Sequence, residues 1–214
     1  MEPRHCLLLK AVVDDSDDAS LLAGLTGLRQ ILTAPFAEFA VYRGLQTPDL
    51  YAYGLLEGAA YPADRDLQRF DAMARQLPVF ATSAPAIDRL ENVFAATGAS
   101  AGASARFRYI VETDAADGWE GEIFRWYDAE HMPGLAAVPG CVRAQRFLNR
   151  DGGPRSHACY DLTDPNILQT AAWLAVRRTA WSDRVRPQFR NTRRTMFRLL
   201  QVSSNQWGGP RCRR

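Results

Sequence analysis

The chain has 214 residues, of which 47% are hydrophobic and 23% charged, a composition typical of a globular protein with one large domain or two small ones. The first 100 positions include 13 acidic and 8 basic residues, whereas positions 101–214 include 11 acidic and 18 basic residues. The formal net charge of the chain is +2. Most arginines are spread among apolar residues, so we expect no nucleic-acid partner. We also expect a cytoplasmic protein without a membrane partner, because no apolar run reaches the roughly 18 residues of a membrane helix and no secretory signal begins the chain.

The first half predicts the element order β-α-β-β-α-β. Strand-like runs occupy residues 6–13, 36–43, 50–57 and 87–95. Helix-like patterns occupy residues 20–32 and 64–77, and in the second of these Leu67, Phe70 and Met73 share one face. Residues 96–104 are all small and predict a flexible linker, which divides the chain near its middle.

The second half predicts the same order more clearly. Strands are predicted over residues 106–113, 141–149, 156–162 and 193–202. A helix is predicted from Trp119 to His131 and is expected to end at Met132-Pro133, because a proline disfavours the helical conformation of the residue before it. A second helix is predicted to begin near Pro165 and to reach residue 177.

Two halves with one element order predict an α+β protein of two tandem ferredoxin-like (βαββαβ) repeats. We therefore divide the chain into a repeat over 1–95, a linker over 96–104, a repeat over 105–204 and a disordered tail over 205–214. Apolar residues on both faces of the strands indicate that each sheet packs on another sheet, either within the chain as a barrel or between chains as a dimer. The cysteines lack metal-binding spacing and are expected to be buried free thiols, so we expect no metal site.

Three stretches of the second half resemble a known family. Residues 124–135 read FRWYDAEHMPGL, residues 138–147 read VPGCVRAQRF, and residues 179–191 read TAWSDRVRPQFRN. Together they resemble the dimeric α+β barrel superfamily and, within it, the EthD group, over residues 105–203. The first half matches only in element order, and Gly27 stands where the second half has His131.

The resemblance implies antiparallel sheets that form a dimeric α+β barrel, and we expect a homodimer. Members include cofactor-free monooxygenases, lactone isomerases, polyketide cyclases, haem-degrading enzymes and proteins without known activity, so the fold alone does not give the reaction. In members with chemistry the ligand lies between sheet and helices, near a histidine at the end of the first helix. By position, that histidine resembles His131.

We predict His131 as an acid/base residue and Tyr127, one helical turn earlier, as its catalytic partner. The predicted ligand-binding residues are aromatic side chains and one strand arginine: Trp126, Tyr109, Tyr160, Arg146 and Trp181. Arg143, Arg194 and Arg198 are further arginine candidates, although such residues also pair with carboxylates such as Asp161 and Glu112. The alternative for His131 is a structural role at a helix end.

The resulting functional prediction is a cofactor-independent enzyme of the isomerase, cyclase or lyase type, acting on a small oxygenated aromatic, lactone or polyketide-like ligand. One alternative is a non-catalytic ligand-binding or stress-associated barrel. A second is a cofactor-free monooxygenase. We expect no cofactor; haem, with His131 or His157 as its ligand, is the less favoured option.

Overall fold

The structure is a computed structural model, and it describes residues 5–13, 18–19, 21–23, 36–56, 62–80 and 83–204. Its strands are β1 (His5–Val12), β2 (Phe36–Gly44), β3 (Asp49–Leu56), β4 (Ala86–Thr97), β5 (Phe107–Ala115), β6 (Cys141–Asn149), β7 (Ser156–Leu162) and β8 (Phe189–Ser204). Its main helices are α1 (Asp64–Ala74), α2 (Glu120–Trp126), α3 (Met132–Ala136), α4 (Ala171–Val176) and α5 (Ala180–Val185). None of the described helices is both long and apolar enough to cross a membrane.

The eight strands form a closed antiparallel barrel in the order β1-β3-β2-β8-β5-β7-β6-β4. The four strands of each half lie next to one another in the barrel in the order fourth, first, third, second, when they are numbered along the chain. This is the strand order of a ferredoxin-like repeat. The predicted fold class is therefore confirmed, and the barrel closes within one chain. The chain forms two compact units, one of Met1–Tyr42, Pro48–Arg89 and Leu200–Arg214, the other of Arg43–Thr47 and Leu90–Leu199.

The first unit has an apolar core built on the pairing of β1 with β3, in which Leu8 lies opposite Tyr53. Phe36, Leu50 and Phe70 are among its buried side chains, and Phe70 brings α1 against the sheet. Residues 21–23 are helical, as predicted, and residues 18–19, ahead of the predicted start, are helical too; the remainder of the predicted 20–32 helix lies outside the described residues. Three of the cysteines, Cys6, Cys141 and Cys159, are buried free thiols, while Cys212 and the tail lie outside the described part.

The second unit differs from the prediction at the end of its first helix. The helix does not stop at Met132-Pro133: a π-helical turn (Tyr127–His131) follows α2, and α3 continues the chain to Ala136. The backbone N–H of Met132 donates to the carbonyl of Tyr127, five residues earlier, as in a π-helix. Pro133 is tolerated because it stands in the first turn of α3, where no N–H is needed.

The helix predicted over 165–177 is also divided. A 3₁₀ segment (Pro165–Gln169) precedes α4, and a separate α5 follows, which the sequence reasoning missed. Each short piece begins at its own capping side chain: Asp164 accepts from the N–H of Asn166, Thr170 from Trp173, and Thr179 from Ser182. Three successive caps explain why three short helices replace one long helix.

Residues 98–100, in the predicted linker, belong to the second unit and hydrogen bond within it. The N–H groups of Gly98, Ala99 and Ser100 donate to the carbonyls of Val142, Ala136 and Cys141, at 2.8–2.9 Å. The hydroxyl of Ser100 accepts from the N–H of Gly140 at 2.7 Å. The segment therefore lies along the start of β6 and holds the turn that leads into it.

Gly140 is the residue at which this turn depends on glycine. Its φ is +94°, and a Cβ built there would lie 2.2 Å from Cδ1 of Ile167. We expect Gly140→Ala to lower the free energy of unfolding by about 1–3 kcal/mol, because an L-residue is strained in this conformation. Urea unfolding followed by circular dichroism measures it. Gly121→Ala is the matched control: its site in α2 is open, so the same change is expected to be neutral or stabilising there. Equal losses for both variants would contradict the prediction.

Candidate active site

The second unit contains a pocket between its sheet and its helices, with about 330 Å³ of empty space, part of it open to solvent. Its walls are six aromatic side chains: Tyr109, Trp126, Tyr127, Tyr160, Trp173 and Phe189. Val111 and Leu135 add aliphatic surface, and the polar lining is completed by His131 and three arginines, Arg177, Arg186 and Arg194. A mostly aromatic and aliphatic lining with a few polar groups is typical of a small-molecule site.

The π-helical turn gives the pocket its central group. An ordinary α-helix brings residues three and four apart onto one face, whereas the π-helical turn brings together two residues that are five apart. The imidazole of His131 consequently stacks on the indole of Trp126, with ring centroids 4.1 Å apart and planes 21° apart. Tyr127 meets the same imidazole edge to face at 5.8 Å.

Polar contacts hold this turn from outside the pocket. Glu130 accepts from Nε1 of Trp126 at 3.1 Å and from the hydroxyl of Thr179 at 2.6 Å, which fixes the indole against α5. Asp128 accepts from Nε and Nη2 of Arg146, at 3.1 and 2.8 Å. The carboxylates on either side of Ala129 therefore anchor the π-helical turn to its neighbours.

His131 is a neutral imidazole at physiological pH. Burial, and after it the positive charges of Arg186 and Arg177, lower its pKa from 6.5 to about 3. The ring is 8% exposed, and its Nδ1 has no hydrogen-bond partner. A neutral imidazole with an unpaired nitrogen can accept a proton from a bound molecule or donate a hydrogen bond to it.

The tyrosines of the pocket stay protonated. Burial raises the pKa of Tyr127, and it raises that of Tyr160 well above its usual value. The hydroxyl of Tyr160 donates to the sulfur of Met132 at 3.0 Å, so this ring acts as a wall. Tyr109 stacks on Tyr160, and burial raises its pKa too, against the opposing charge of Arg194. Tyr127 is therefore suited to donate a hydrogen bond and unsuited to act as a base.

Trp173 is a second pocket residue with an unsatisfied polar atom. Its ring is fully buried, meets Tyr160 and Tyr109 edge to face, and its Nε1 has no hydrogen-bond partner. Leaving a buried donor unpaired costs about 1–3 kcal/mol. Because His131 Nδ1 is in the same condition, two residues of the pocket lining each carry a buried polar atom without a hydrogen-bond partner.

The structure brings five of the seven predicted site residues to this pocket: His131, Tyr127, Trp126, Tyr109 and Tyr160. The other two lie elsewhere. Arg146 is paired with Asp128 and lies over the ring of Phe124 at 4.5 Å, and Nε1 of Trp181 donates to Glu122. Both are engaged in joining elements of the unit rather than in lining the pocket.

Sequence reasoning missed Trp173, Arg177, Arg186 and Phe189, and it gave Arg194 only as one of several arginines. Trp173 and Arg177 come from α4 and the residue after it, and Phe189 begins β8. Arg186 lies in the 3₁₀ turn (Arg186–Gln188) that connects α5 to β8. The capping threonines were a visible signal of these short helices. Across the described residues no group of three or more His, Cys, Asp or Glu side chains could hold a metal ion.

Comparison with known proteins finds similarity in structure and none in sequence. No family model matches the chain, and no curated protein matches it. An anthrone oxidase-like protein superposes with a TM-score of 0.65 at 16% identity, covering 97% of each chain. Two bacterial proteins, each called a "putative monooxygenase", superpose with TM-scores of 0.63 and 0.59 at 9% and 7% identity. The first, from Lactobacillus acidophilus, covers 94% of this chain and 96% of its own, and the second, from Fusobacterium nucleatum, covers 96% of each.

At these identities the comparisons establish the fold. The predicted resemblance to the dimeric α+β barrel is confirmed at that level. The closer resemblance to the EthD group, the homodimer and the cytoplasmic location stay predictions.

The prediction of no cofactor is contradicted. Structural neighbours include a chlorite dismutase at TM-score 0.55 and 7% identity, and a haem-binding protein from Thermus thermophilus at 0.50 and 10%. Barrels of this architecture thus do bind haem. In this chain His131 does not fit a haem ligand, because its imidazole is buried and lies flat against the indole of Trp126.

Proposed function

We propose that the protein is an oxygenase that acts on a small, enolisable aromatic molecule in the pocket of the second unit. The observation that carries the proposal is the pair of buried, unpartnered polar atoms, His131 Nδ1 and Trp173 Nε1, in an aromatic-walled pocket. An oxygenated aromatic molecule would satisfy both atoms while its rings stack on the walls. Likeness in fold to an anthrone oxidase-like protein and to two proteins each called a "putative monooxygenase" supports the reaction class.

In the proposed reaction His131 is the base. The neutral imidazole removes a proton from the substrate, which becomes an enolate, and the indole N–H of Trp173 donates a hydrogen bond to the enolate oxygen. Burial and two arginines disfavour the imidazolium in the free protein. The enolate that forms beside it supplies the opposite charge, so the proton is held only while substrate is bound.

The oxidation balances with dioxygen as the oxidant. For anthrone as probe, the enolate carbon bonds to dioxygen to form a peroxide, which then loses water as the carbonyl forms. One anthrone and one dioxygen give one anthraquinone and one water: the ring methylene loses two hydrogens and four electrons, and dioxygen accepts them. The proton taken by His131 leaves with the water.

The isomerase, cyclase or lyase reaction is the second candidate. It is favoured by the same neutral, unpartnered imidazole, since proton removal and return are all that such a reaction requires. The two candidates share their first step and differ in whether oxygen is consumed.

Oxygen uptake with anthrone tests the proposal. We expect wild type to consume oxygen faster than spontaneous oxidation, and His131→Gln to lower the enzymatic rate by about 100-fold or more, as for loss of a general base. Trp173→Phe keeps the ring and removes the donor, so it is expected to lower the rate as well. Trp181→Phe is the matched control, because Trp181 lies outside the pocket, and should retain the wild-type rate.

The outcomes separate the candidates. Substrate consumed equally under argon, with a product of unchanged oxidation state, would replace the oxygenase by the isomerase-type reaction. A rate that is unchanged in His131→Gln would refute both. The absorption spectrum of the purified protein, recorded before the assay, identifies any haem or flavin that co-purifies.

A further inference from the structure

Three arginines, Arg177, Arg186 and Arg194, line the pocket of the second unit. Eight other described arginines form ion pairs with Asp or Glu: Arg75, Arg89, Arg108, Arg125, Arg143, Arg146, Arg150 and Arg184. For Arg177, Arg186 and Arg194 the structure forms no such pair among the residues it describes. No carboxylate lines the pocket, so its polar lining is cationic or neutral.

The charges of Arg177 and Arg194 act on the guanidinium group of Arg186. Partial burial lowers the pKa of Arg186, and the neighbouring charges of Arg177 and Arg194 lower it too, against smaller opposing effects of Tyr109 and Asp183. Arg186 also donates to the backbone carbonyl of Arg177 at 3.4 Å, which brings α4 and the turn after α5 together at the pocket. Like charges gathered without counter-charge are unfavourable until an anion joins them.

We propose that Arg177, Arg186 and Arg194 form an anion subsite, and that the ligand of this pocket is a planar aromatic molecule bearing a carboxylate or phenolate group. The six aromatic walls take the ring system, and the guanidinium groups take the anionic substituent with charge-assisted hydrogen bonds. The anion subsite specifies the substrate class of the proposed oxygenase. It rests on that proposed function, because the same pocket would bind the substrate. It also gives the enolate formed next to His131 a cationic neighbour.

Binding of a matched pair of probes tests the subsite without turnover. 2-Naphthoate and 2-naphthamide share ring and shape, and only the first is an anion. In calorimetric titrations at low salt we expect naphthoate to bind about tenfold tighter or more, because hydrogen bonds to charged groups are stronger than neutral ones. Added salt should reduce that preference.

Variants assign the preference to the named arginines. Arg186→Gln and the exposed Arg194→Gln should each reduce the preference for naphthoate, and the pair of changes together should abolish it. Arg178→Gln is the matched control: Arg178 is exposed, adjacent to Arg177 and outside the pocket lining, so it changes net charge equally and should keep the preference. Equal binding of the two probes by wild type, or equal loss in Arg178→Gln, would overturn the proposal.

The subsite and the oxygenase can fail separately. If naphthoate is preferred but anthrone drives no oxygen uptake, the anion subsite stands and the oxygenase falls. If anthrone is oxidised and the probes bind equally, the oxygenase stands and the subsite falls.

Discussion

Asp161→Asn is expected to lower the free energy of unfolding by about 3–5 kcal/mol, because it removes the negative charge that accepts two hydrogen bonds from the buried guanidinium of Arg108. The carboxylate of Asp161 accepts from Nε and Nη2 of Arg108 at 2.6 and 2.9 Å and from Nε of Arg143 at 2.8 Å. Side-chain exposure is 2% for Arg108 and 6% for Asp161. Arg143 is 30% exposed and can turn to solvent, whereas Arg108 cannot.

The three residues lie side by side on β5, β7 and β6, with Arg108 and Arg143 each opposite Asp161 in the strand registers. Burial alone would raise the pKa of Asp161, but Arg108 and then Arg143 outweigh it and the pKa is lowered, so the carboxylate is ionised. Because strand side chains alternate, this cluster lies on the sheet face opposite Tyr109 and the pocket. Its role is therefore structural.

Urea unfolding at neutral pH measures the effect. Arg143→Gln removes the more exposed of the two arginines and should lower the free energy of unfolding by only about 1 kcal/mol. The double variant Arg108→Met/Asp161→Leu should recover most of the loss, since an apolar pair replaces buried charges. A loss below about 1 kcal/mol for Asp161→Asn would show that the cluster does not carry this stability.

His131 is expected to make the protein acid-sensitive in a defined window. The pKa of this imidazole is about 3 in the folded protein and 6.5 when unperturbed, so between these values the unfolded chain binds a proton that the native state does not. Stability therefore falls as the pH is lowered from about 6.5 toward 3, and it is unaffected by this group above 6.5. The contribution lost is about 2 kcal/mol at pH 5 and about 3 kcal/mol at pH 4.

Comparing wild type with His131→Gln isolates this contribution, because every other titrating group is shared. The variant should lose less stability than wild type between pH 7 and pH 4, by the amounts given above. An independent measurement is the imidazole resonance of His131, which should not shift between pH 8 and pH 5. Parallel stability curves, or a resonance that titrates near pH 6.5, would contradict a buried neutral imidazole.

The strands were predictable because their apolar residues recur in short runs bounded by turn residues. β6 and β7 begin and end at the predicted residues, and β5 is offset by one residue at its start. The ion pair of Arg143 with Asp161 was among the alternatives considered. Closure of the barrel within one chain was not predictable, since both ways of covering the second sheet face bury the same apolar residues.

The site residues that belong to one continuous sequence motif were predictable. Trp126, Tyr127 and His131 come from a single stretch, but their arrangement follows a π-helical turn that helical periodicity does not reveal. Trp173, Arg177 and Arg186 reach the pocket only through tertiary packing of short capped helices. Arginine spacing in the sequence gave no sign that three of them lack carboxylates, because a partner can come from any strand.

The π-helical turn makes the position of the imidazole depend on chain length as well as on residue identity. Each residue of an α-helix advances the side-chain direction by about 100°. A π-helical turn is equivalent to one inserted residue, and the change in side-chain direction that this residue causes is confined to that turn. A relative one residue shorter between Trp126 and His131 would keep the helix, the barrel and every pocket side chain, yet carry its histidine on another side. Alignments that open a gap here would therefore separate proteins of one fold into those that retain the stacked imidazole and those that have lost it.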